Sequence, residues 1–273
     1  MKKILAGFIA LALVGPCSAH QPVPPAAIHV PFELQHGLPT IQATVGGKSV
    51  SLILDLGGGS MLALTTASLQ KVTVNFTGKT HQFSDSAGNI TRTRDYIAPH
   101  FVSGGLVLDQ LAGNELSGRK SFPWDGYLGI GVLKRYLLVF DYPQHELRLY
   151  PSGARAVMRK ECGDASIPIE LVKGVVQSTV ATDHGTLTFA WDTGSSLDIV
   201  RPAAVGKAYK PSSDGSLQTI TFKRFSMNSR NYEPVEMALM PFTAPAVDGF
   251  IGSPFMHTRV VCIDPGAGVA AIR

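Results

Sequence analysis

Short runs of alternating apolar and polar residues follow one another along the chain from Ile28 onward. In residues 186–191, apolar side chains recur at every second position, the pattern of a strand with one face in a core. Glycine-rich turns separate these runs, and helical periodicity is slight. We predict short helices only over residues 61–71 and 131–136. The chain is therefore predicted to be all-β.

The chain contains the same arrangement twice. When it is shifted by 137 positions, residues 30–60 align without a gap on residues 167–197. The positions identical in both copies are Pro31 and Pro168, Glu33 and Glu170, Leu34 and Leu171, Gly37 and Gly174, Asp55 and Asp192, and Gly57 and Gly194. A repeat of this length indicates a duplicated lobe rather than a solenoid.

A second block aligns at a shift of 123 positions. Residues 125–129 and 248–252 both read Asp-Gly, two apolar residues and Gly, and residues 139–141 align on 262–264. The change of shift means that the second copy is 14 residues shorter between its blocks. We predict two lobes that share one plan.

An acid stands at a strand tip in each copy. Residues 192–195, Asp-Thr-Gly-Ser, directly follow the predicted strand 186–191. Glycine in such a turn allows close backbone approach, and neighbouring N–H groups can hold the carboxylate. Asp-Thr-Gly alone is an ordinary turn sequence. Its recurrence as Asp55-Leu56-Gly57, together with the second block, makes the pattern specific.

The combination resembles the pepsin-like and retropepsin-like aspartic peptidases over nearly all of the chain after the N-terminal arm. Those proteins carry one Asp-Thr/Ser-Gly turn per lobe or subunit, beside an apolar-apolar-Gly segment. The resemblance implies two pseudo-symmetric, β-barrel-like lobes around a central cleft. It implies that Asp55 and Asp192 are the catalytic pair, supported by Gly57 and by the loop residues Thr193, Gly194 and Ser195.

Two carboxylates held close together cannot both ionise cheaply, so they share a proton and titrate as a pair. Such a pair can activate a water for hydrolysis of a peptide or protein substrate, without metal or cofactor. Leu56 departs from the family, which has Thr or Ser there. The function expected is therefore that of an aspartic endopeptidase, and the alternative is an impaired protein that binds peptides or the cell envelope.

A turn at Ser86, Ala87, Gly88 and Asn89 lies between Thr-rich arms. The resemblance implies that this hairpin is a flap over the cleft, and the other interpretation is a surface hairpin without function. The corresponding segment of the second copy, near residues 212–215, is shorter, so only the first lobe is expected to supply a cover.

Residues 1–19 have the layout of a secretory signal. Lys2 and Lys3 precede an apolar run over residues 4–14, and Cys17-Ser18-Ala19 offers a cleavage site of small residues. The run is too short to span a bilayer, and no later segment reaches about 18 apolar residues. We predict a bacterial protein located in the periplasm or secreted, without a stable membrane span.

The domain plan follows from these features. A proline-rich arm over 20–27 precedes an N-terminal lobe over 28–150. A basic, irregular linker over 151–165 then leads to a C-terminal lobe over 166–273. We expect a monomer.

Charge and histidine patterns exclude other classes. Removal of the signal leaves 22 basic against 20 acidic residues, scattered rather than clustered, so no nucleic-acid partner is expected. The eight histidines show no metal-ligand spacing, and no Gly-x-Ser-x-Gly elbow is present. We therefore predict neither a metal site nor a cofactor.

Cys162 and Cys262 are the two cysteines left after the signal. In an oxidising compartment two cysteines are the number for one disulfide. The alternative is a pair of buried free thiols.

Overall fold

The computed structural model describes residues 26–84, 88, 90–117, 122–208, 216–232, 234–243 and 247–273. Its strands in the first half of the chain are β1 (Ile28–Pro31), β2 (Glu33–Gln35), β3 (Leu38–Val45), β4 (Lys48–Asp55), β5 (Leu62–Thr65), β6 (Asn75–Ser84), β7 (Ile90–Ser103), β8 (Leu106–Leu116), β9 (Gly126–Gly129), β10 (Tyr136–Asp141) and β11 (Glu146–Pro151).

The strands of the second half are β12 (Ile167–Pro168), β13 (Glu170–Val172), β14 (Val175–Thr182), β15 (Gly185–Trp191), β16 (Ile199–Val200), β17 (Thr219–Phe222), β18 (Phe225–Met227), β19 (Arg230–Asn231), β20 (Val235–Leu239), β21 (Gly249–Ile251), β22 (Val260–Asp264) and β23 (Val269–Ile272). The helices are α1 (Thr66–Leu69), α2 (Ile130–Leu133), α3 (Arg155–Cys162), α4 (Ser253–Met256) and a 3-10 turn at Pro202–Val205. None of the helices in the described ranges has the length and apolar character needed to cross a membrane.

The first half forms a sheet with the order β2-β3-β4-β9-β5-β8-β7-β6. A further pairing of β3 with β7 closes six of these strands into a barrel. Within it, β9 lies between β4, to which it is parallel, and β5, to which it is antiparallel. The apolar faces of these strands fill the barrel, as the period-two pattern predicts.

The second half repeats this plan, with β21 between the parallel β15 and the antiparallel β16. The register is repeated as well. Leu52 lies opposite Gly126 in the first half, and Phe189 lies opposite Gly249 in the second. These pairs are related by the shifts of 137 and 123 positions that the sequence alone indicates, so the two copies share strand register as well as motifs.

A third sheet joins the two halves, with the order β1-β11-β10-β22-β23-β12. Strands β10 and β22 meet at its centre, where Val139 pairs with Cys262. One face of this sheet packs against α3, and Cys162 at the end of that helix is disulfide-bonded to Cys262. The disulfide prediction is confirmed.

Two predicted helices are present with other bounds, and one prediction was wrong. Residues 62–65 form the buried strand β5, and only residues 66–69 are helical, because the apolar run pairs with both β8 and β9. Helix α2 covers residues 130–133, and the chain has entered β10 by Tyr136. The segment 151–165 is not irregular, since it contains α3, which buries an apolar side against the third sheet.

Candidate active site

The two acid-bearing turns meet between the two halves. Asp55 is the last residue of β4, and Asp192 directly follows β15. A Cβ placed on Gly57 would lie 2.5 Å from Cγ of Asp192, and one placed on Gly194 would lie 2.6 Å from Cγ of Asp55. Real Cβ atoms do not approach carboxylates so closely. Each turn therefore needs glycine because the carboxyl group of the other turn occupies that space.

One hydroxyl group ties the turns together. Thr193 Oγ1 donates to the carbonyl of Leu54 at 2.7 Å and accepts the N–H of Leu56 at 3.0 Å. Thr193 is 0% exposed, so neither hydrogen bond competes with water. Leu56 is also fully buried, in the main apolar core, and has no hydroxyl to make the reciprocal tie.

Each carboxylate is also held by its own turn. The N–H of Gly58 donates to Asp55 Oδ1 at 2.8 Å, and the N–H of Gly194 donates to Asp192 Oδ1 at 3.0 Å. Ser195 contributes its N–H to Asp192, while its hydroxyl donates to the carbonyl of Leu197 at 2.6 Å. Ser195 thus braces the loop and does not offer its side chain to the acid.

The electrostatics of the pair favour a shared proton. Burial raises the pKa of Asp192 well above its usual value, and the negative charge of Asp55 raises it further. The two carboxyl groups are hydrogen-bonded to each other, which acts in the same direction, and the N–H groups of Gly194 and Ser195 oppose these effects. Asp192 therefore binds a proton at a pH where an exposed aspartate is ionised.

The second acids of the duplication have a structural role, as the sequence indicates. Asp125 Oδ2 accepts the N–H of Ser51, and Asp248 Oδ2 accepts the N–H of Thr188, each at 2.9 Å. These bonds fasten the starts of β9 and β21 to the strands that end in the candidate catalytic acids.

The hairpin predicted as a flap is formed by β6 and β7. Ser86, Ala87 and Asn89 lie outside the described residues. Gly88 has a positive φ of 85°, and a Cβ on it would lie 3.3 Å from Thr243 Cγ2. The hairpin of the first half therefore reaches a residue of the second half.

Aromatic side chains lie beside the acids. A Cβ on Gly58 would lie 2.6 Å from the ring of Tyr127 and 2.7 Å from Asp55 Oδ2, so ring and carboxylate both contact this glycine. Tyr127 belongs to a small apolar cluster with Phe122 and Trp124 packed against it. In the second half Phe250, at the equivalent position, packs against another aromatic ring at a centroid distance of 4.8 Å. Within the described ranges, no group of three or more acidic, His or Cys side chains could hold a metal ion.

No protein-family model matches this sequence, and no curated protein matches it significantly. A solved structure does: the crystal structure of an aspartic proteinase from Irpex lacteus superposes with a TM-score of 0.62. The match covers 90% of this chain and 97% of that chain, at 13% sequence identity. The chain has the fold of an aspartic proteinase.

That fold confirms the prediction of an all-β molecule with two barrel-like lobes. At such low identity the likeness is one of backbone arrangement, so any activity has to be argued from the residues themselves.

Sequence reasoning missed two residues that support the loop of the second acid. Ser253 donates its N–H to the carbonyl of Ser195 at 2.9 Å and its hydroxyl to the carbonyl of Thr193 at 3.0 Å. Asp198 accepts the N–H of Gly252 at 2.7 Å. Neither residue is identical in the two copies, so the repeat carried no signal for them.

Proposed function

We propose that this protein is an aspartic endopeptidase in which Asp55 and Asp192 activate a water between them. The observation that carries the proposal is the reciprocal approach of the two turns, with each carboxyl group against the glycine of the other turn. Two barrels related by duplication provide no structural reason to bury two acids together, since a buried like-charged pair is costly. When the pair shares one proton, one acid can donate a hydrogen bond while the other accepts a proton, which is what hydrolysis by an activated water needs.

The environment of the acids divides the work between them. Burial and mutual repulsion keep one proton on the pair, so the neutral carboxyl group donates a hydrogen bond to the scissile carbonyl. The ionised carboxylate takes a proton from the attacking water. Transfer of a proton to the leaving amine then completes hydrolysis without a covalent intermediate.

We infer that the substrate is an extended peptide. Strand edges and a hairpin that reaches across to Thr243 offer backbone groups with which an extended chain can pair. The rings of Tyr127, Trp124 and Phe122 favour an apolar side chain beside the scissile bond. In this proposal the hairpin tip, Ser86 to Asn89, covers the bound peptide.

Leu56 supports the second candidate function, that of an impaired protein that binds peptides. Because Leu56 has no hydroxyl, the hydroxyl-mediated tie between the turns, within the described ranges, comes from Thr193. We favour activity because Leu56 is packed in the core and its N–H is held by Thr193, so the first turn is anchored in another way.

We also propose that the protein is exported as a monomer to the bacterial periplasm or beyond. The disulfide between Cys162 and Cys262 is typical of oxidising compartments, and the signal over residues 1–19 would direct the chain there.

The test is cleavage of a mixed peptide pool by the mature protein from acidic to neutral pH. We expect Asp55→Asn and Asp192→Asn each to abolish cleavage, and a transition-state-mimicking inhibitor of aspartic peptidases to block it. Asp164→Asn, at an exposed acid that follows α3, is the matched control and should cleave normally. A folded protein that cleaves nothing but binds peptides would establish the alternative.

A further inference from the structure

The two halves hold the glycine of their second block in different ways. In the first half, the N–H of Gly129 donates to the backbone carbonyl of Met61 at 3.0 Å. Gly252 is the equivalent glycine, and its N–H donates to the carboxylate Oδ1 of Asp198 at 2.7 Å. A side chain has replaced a backbone acceptor at this point of the repeat.

The difference follows from loop length. Gly58 and Ser195 are equivalent, and Ala63 and Ile199 are equivalent because they pair with the same residue of the second block. Four residues lie between Gly58 and Ala63 in the first half. Only three lie between Ser195 and Ile199 in the second half, so the loop after the second acid is one residue shorter.

In the shorter loop the backbone carbonyls are occupied elsewhere. A Cβ on Gly252 would lie 2.3 Å from the carbonyl oxygen of Leu197, which therefore faces the α-carbon. The carbonyl of Asp198 accepts the N–H of Ala238 at 2.8 Å. The N–H of Gly252 would be buried without an acceptor if the side chain of Asp198 did not reach it.

Asp198 holds Gly252, and the residue next to Gly252 in turn holds the loop that carries Asp192. Ser253, next to Gly252, bonds the carbonyls of both Thr193 and Ser195. Thr193 in turn makes the only hydroxyl-mediated tie to the first turn found among the described residues. If Gly252 moved, Ser253 would move with it and would shift the loop of Thr193 and Ser195. The position of Asp192 relative to Asp55 would change as a result.

We propose that Asp198 is a positioning residue of this site, whose carboxylate substitutes for a missing backbone acceptor and so fixes the loop that carries Asp192 and Thr193. The inference deepens the proposed peptidase function and rests on it for its kinetic consequences. Its structural part, the acceptor substitution, stands on the hydrogen bonds alone.

Asp198 is 8% exposed. Its carboxyl group is affected by the charge of Arg259 and by the backbone N–H of Phe255, and Arg259 also interacts with Tyr232 and Arg230. Burial raises the pKa of Asp198 to about 7, while the N–H of Gly252 and the charge of Arg259 act in the opposite direction. Asp198 therefore changes charge between mildly acidic and neutral pH, and the hydrogen bond to Gly252 changes strength with it.

The test compares Asp198→Leu, which has no acceptor, with Asp198→Asn, which keeps an acceptor oxygen but does not titrate. On a cleaved peptide, we expect Asp198→Leu to lower kcat about ten- to a hundredfold with KM nearly unchanged, since a displacement of about 1 Å can cost a hundredfold. Asp198→Asn should restore most of kcat and remove the change in kcat around pH 7. Asp164→Leu is the surface control. An unchanged kcat in folded Asp198→Leu would overturn the proposal.

A second measurement does not need catalysis. The amide proton of Gly252 should shift with pH in the NMR spectrum of the wild-type protein, following the ionisation of Asp198, and should not do so in Asp198→Asn. If the chemical shift of this amide proton depended on pH in the same way in the wild type and in Asp198→Asn, the proposal would be overturned, even if Asp198→Leu does not fold. A wild-type protein that cleaves nothing but shows the amide titration would refute the peptidase function and leave the acceptor substitution intact.

Discussion

Replacement of Thr193 by valine removes the tie between the turns while keeping the shape of the side chain. The substitution leaves the carbonyl of Leu54 and the N–H of Leu56 without their partner in a fully buried place. A buried polar group that loses its partner costs about 1–3 kcal/mol, so two of them should lower the free energy of unfolding by about 4 kcal/mol. For a chain of this size the expected fall in Tm is about 8–16 °C.

The assay is urea unfolding followed by tryptophan fluorescence, to which Trp191, buried next to the turn, contributes. Thr193→Ser keeps the hydroxyl and loses one methyl group, so it should cost only about 1 kcal/mol. Thr219→Val makes the same substitution at an exposed position of β17, so it should change the free energy of unfolding little. A loss below about 1 kcal/mol in Thr193→Val, or an equal loss in Thr193→Ser, would refute the reasoning.

Three further predictions concern other parts of the molecule. Leu56→Thr should raise kcat, measured in single-turnover cleavage, because its hydroxyl can supply the reciprocal tie; a fall in kcat would contradict this. The free energy of unfolding should fall by about 1 kcal/mol, because the packing lost exceeds the hydrogen bond gained. Replacement of Cys162 and Cys262 by alanine should lower the free energy of unfolding by about 4–5 kcal/mol, because the disulfide spans a separation of 100 residues; the deficit should match that of the reduced wild-type protein. Burial raises the pKa of Asp198 from its usual 3.8 to about 7, so between these values the folded state binds a proton that the unfolded state releases, and stability falls as pH rises through this range. Asp198→Asn should lack this fall, so near neutral pH its free energy of unfolding should exceed that of the wild type by up to about 4 kcal/mol. The measurement is urea unfolding at several pH values. If the free energies of the two proteins changed with pH in parallel, Asp198 would not be the group that titrates.

The duplication made much of this fold predictable from sequence. Because residues 30–60 repeat without a gap, the strand that ends in Asp55 and the strand that ends before Asp192 had to occupy equivalent places. The pairing of Leu52 with Gly126 and of Phe189 with Gly249 follows the same shifts. Turn geometry explains the need for glycine at positions 57 and 194, and the structure adds a second cause, namely contact with the opposite carboxyl group.

Other features depend on contacts that no local pattern records. Residues 62–65 form an apolar run that suits a helix or a buried strand equally, and the neighbouring strands β8 and β9 decide for the strand. Helix α3 is only eight residues long and is stabilised by packing its apolar side on the third sheet. Asp198 is detectable only once the missing loop residue is placed against the strand register of the other half.

The pairing of β10 with β22 has a consequence for the motion of the two halves. Val139 and Cys262 are equivalent by the shift of 123, and they lie directly opposite each other. The pseudo-two-fold axis of the duplication therefore passes between them, through hydrogen-bonded backbone. Opening the cleft has to bend or twist this continuous sheet instead of swinging the lobes on a flexible tether. Because a β-sheet is stiff, and because the disulfide links Cys262 near the axis to α3, the sheet limits how far the two acids can separate.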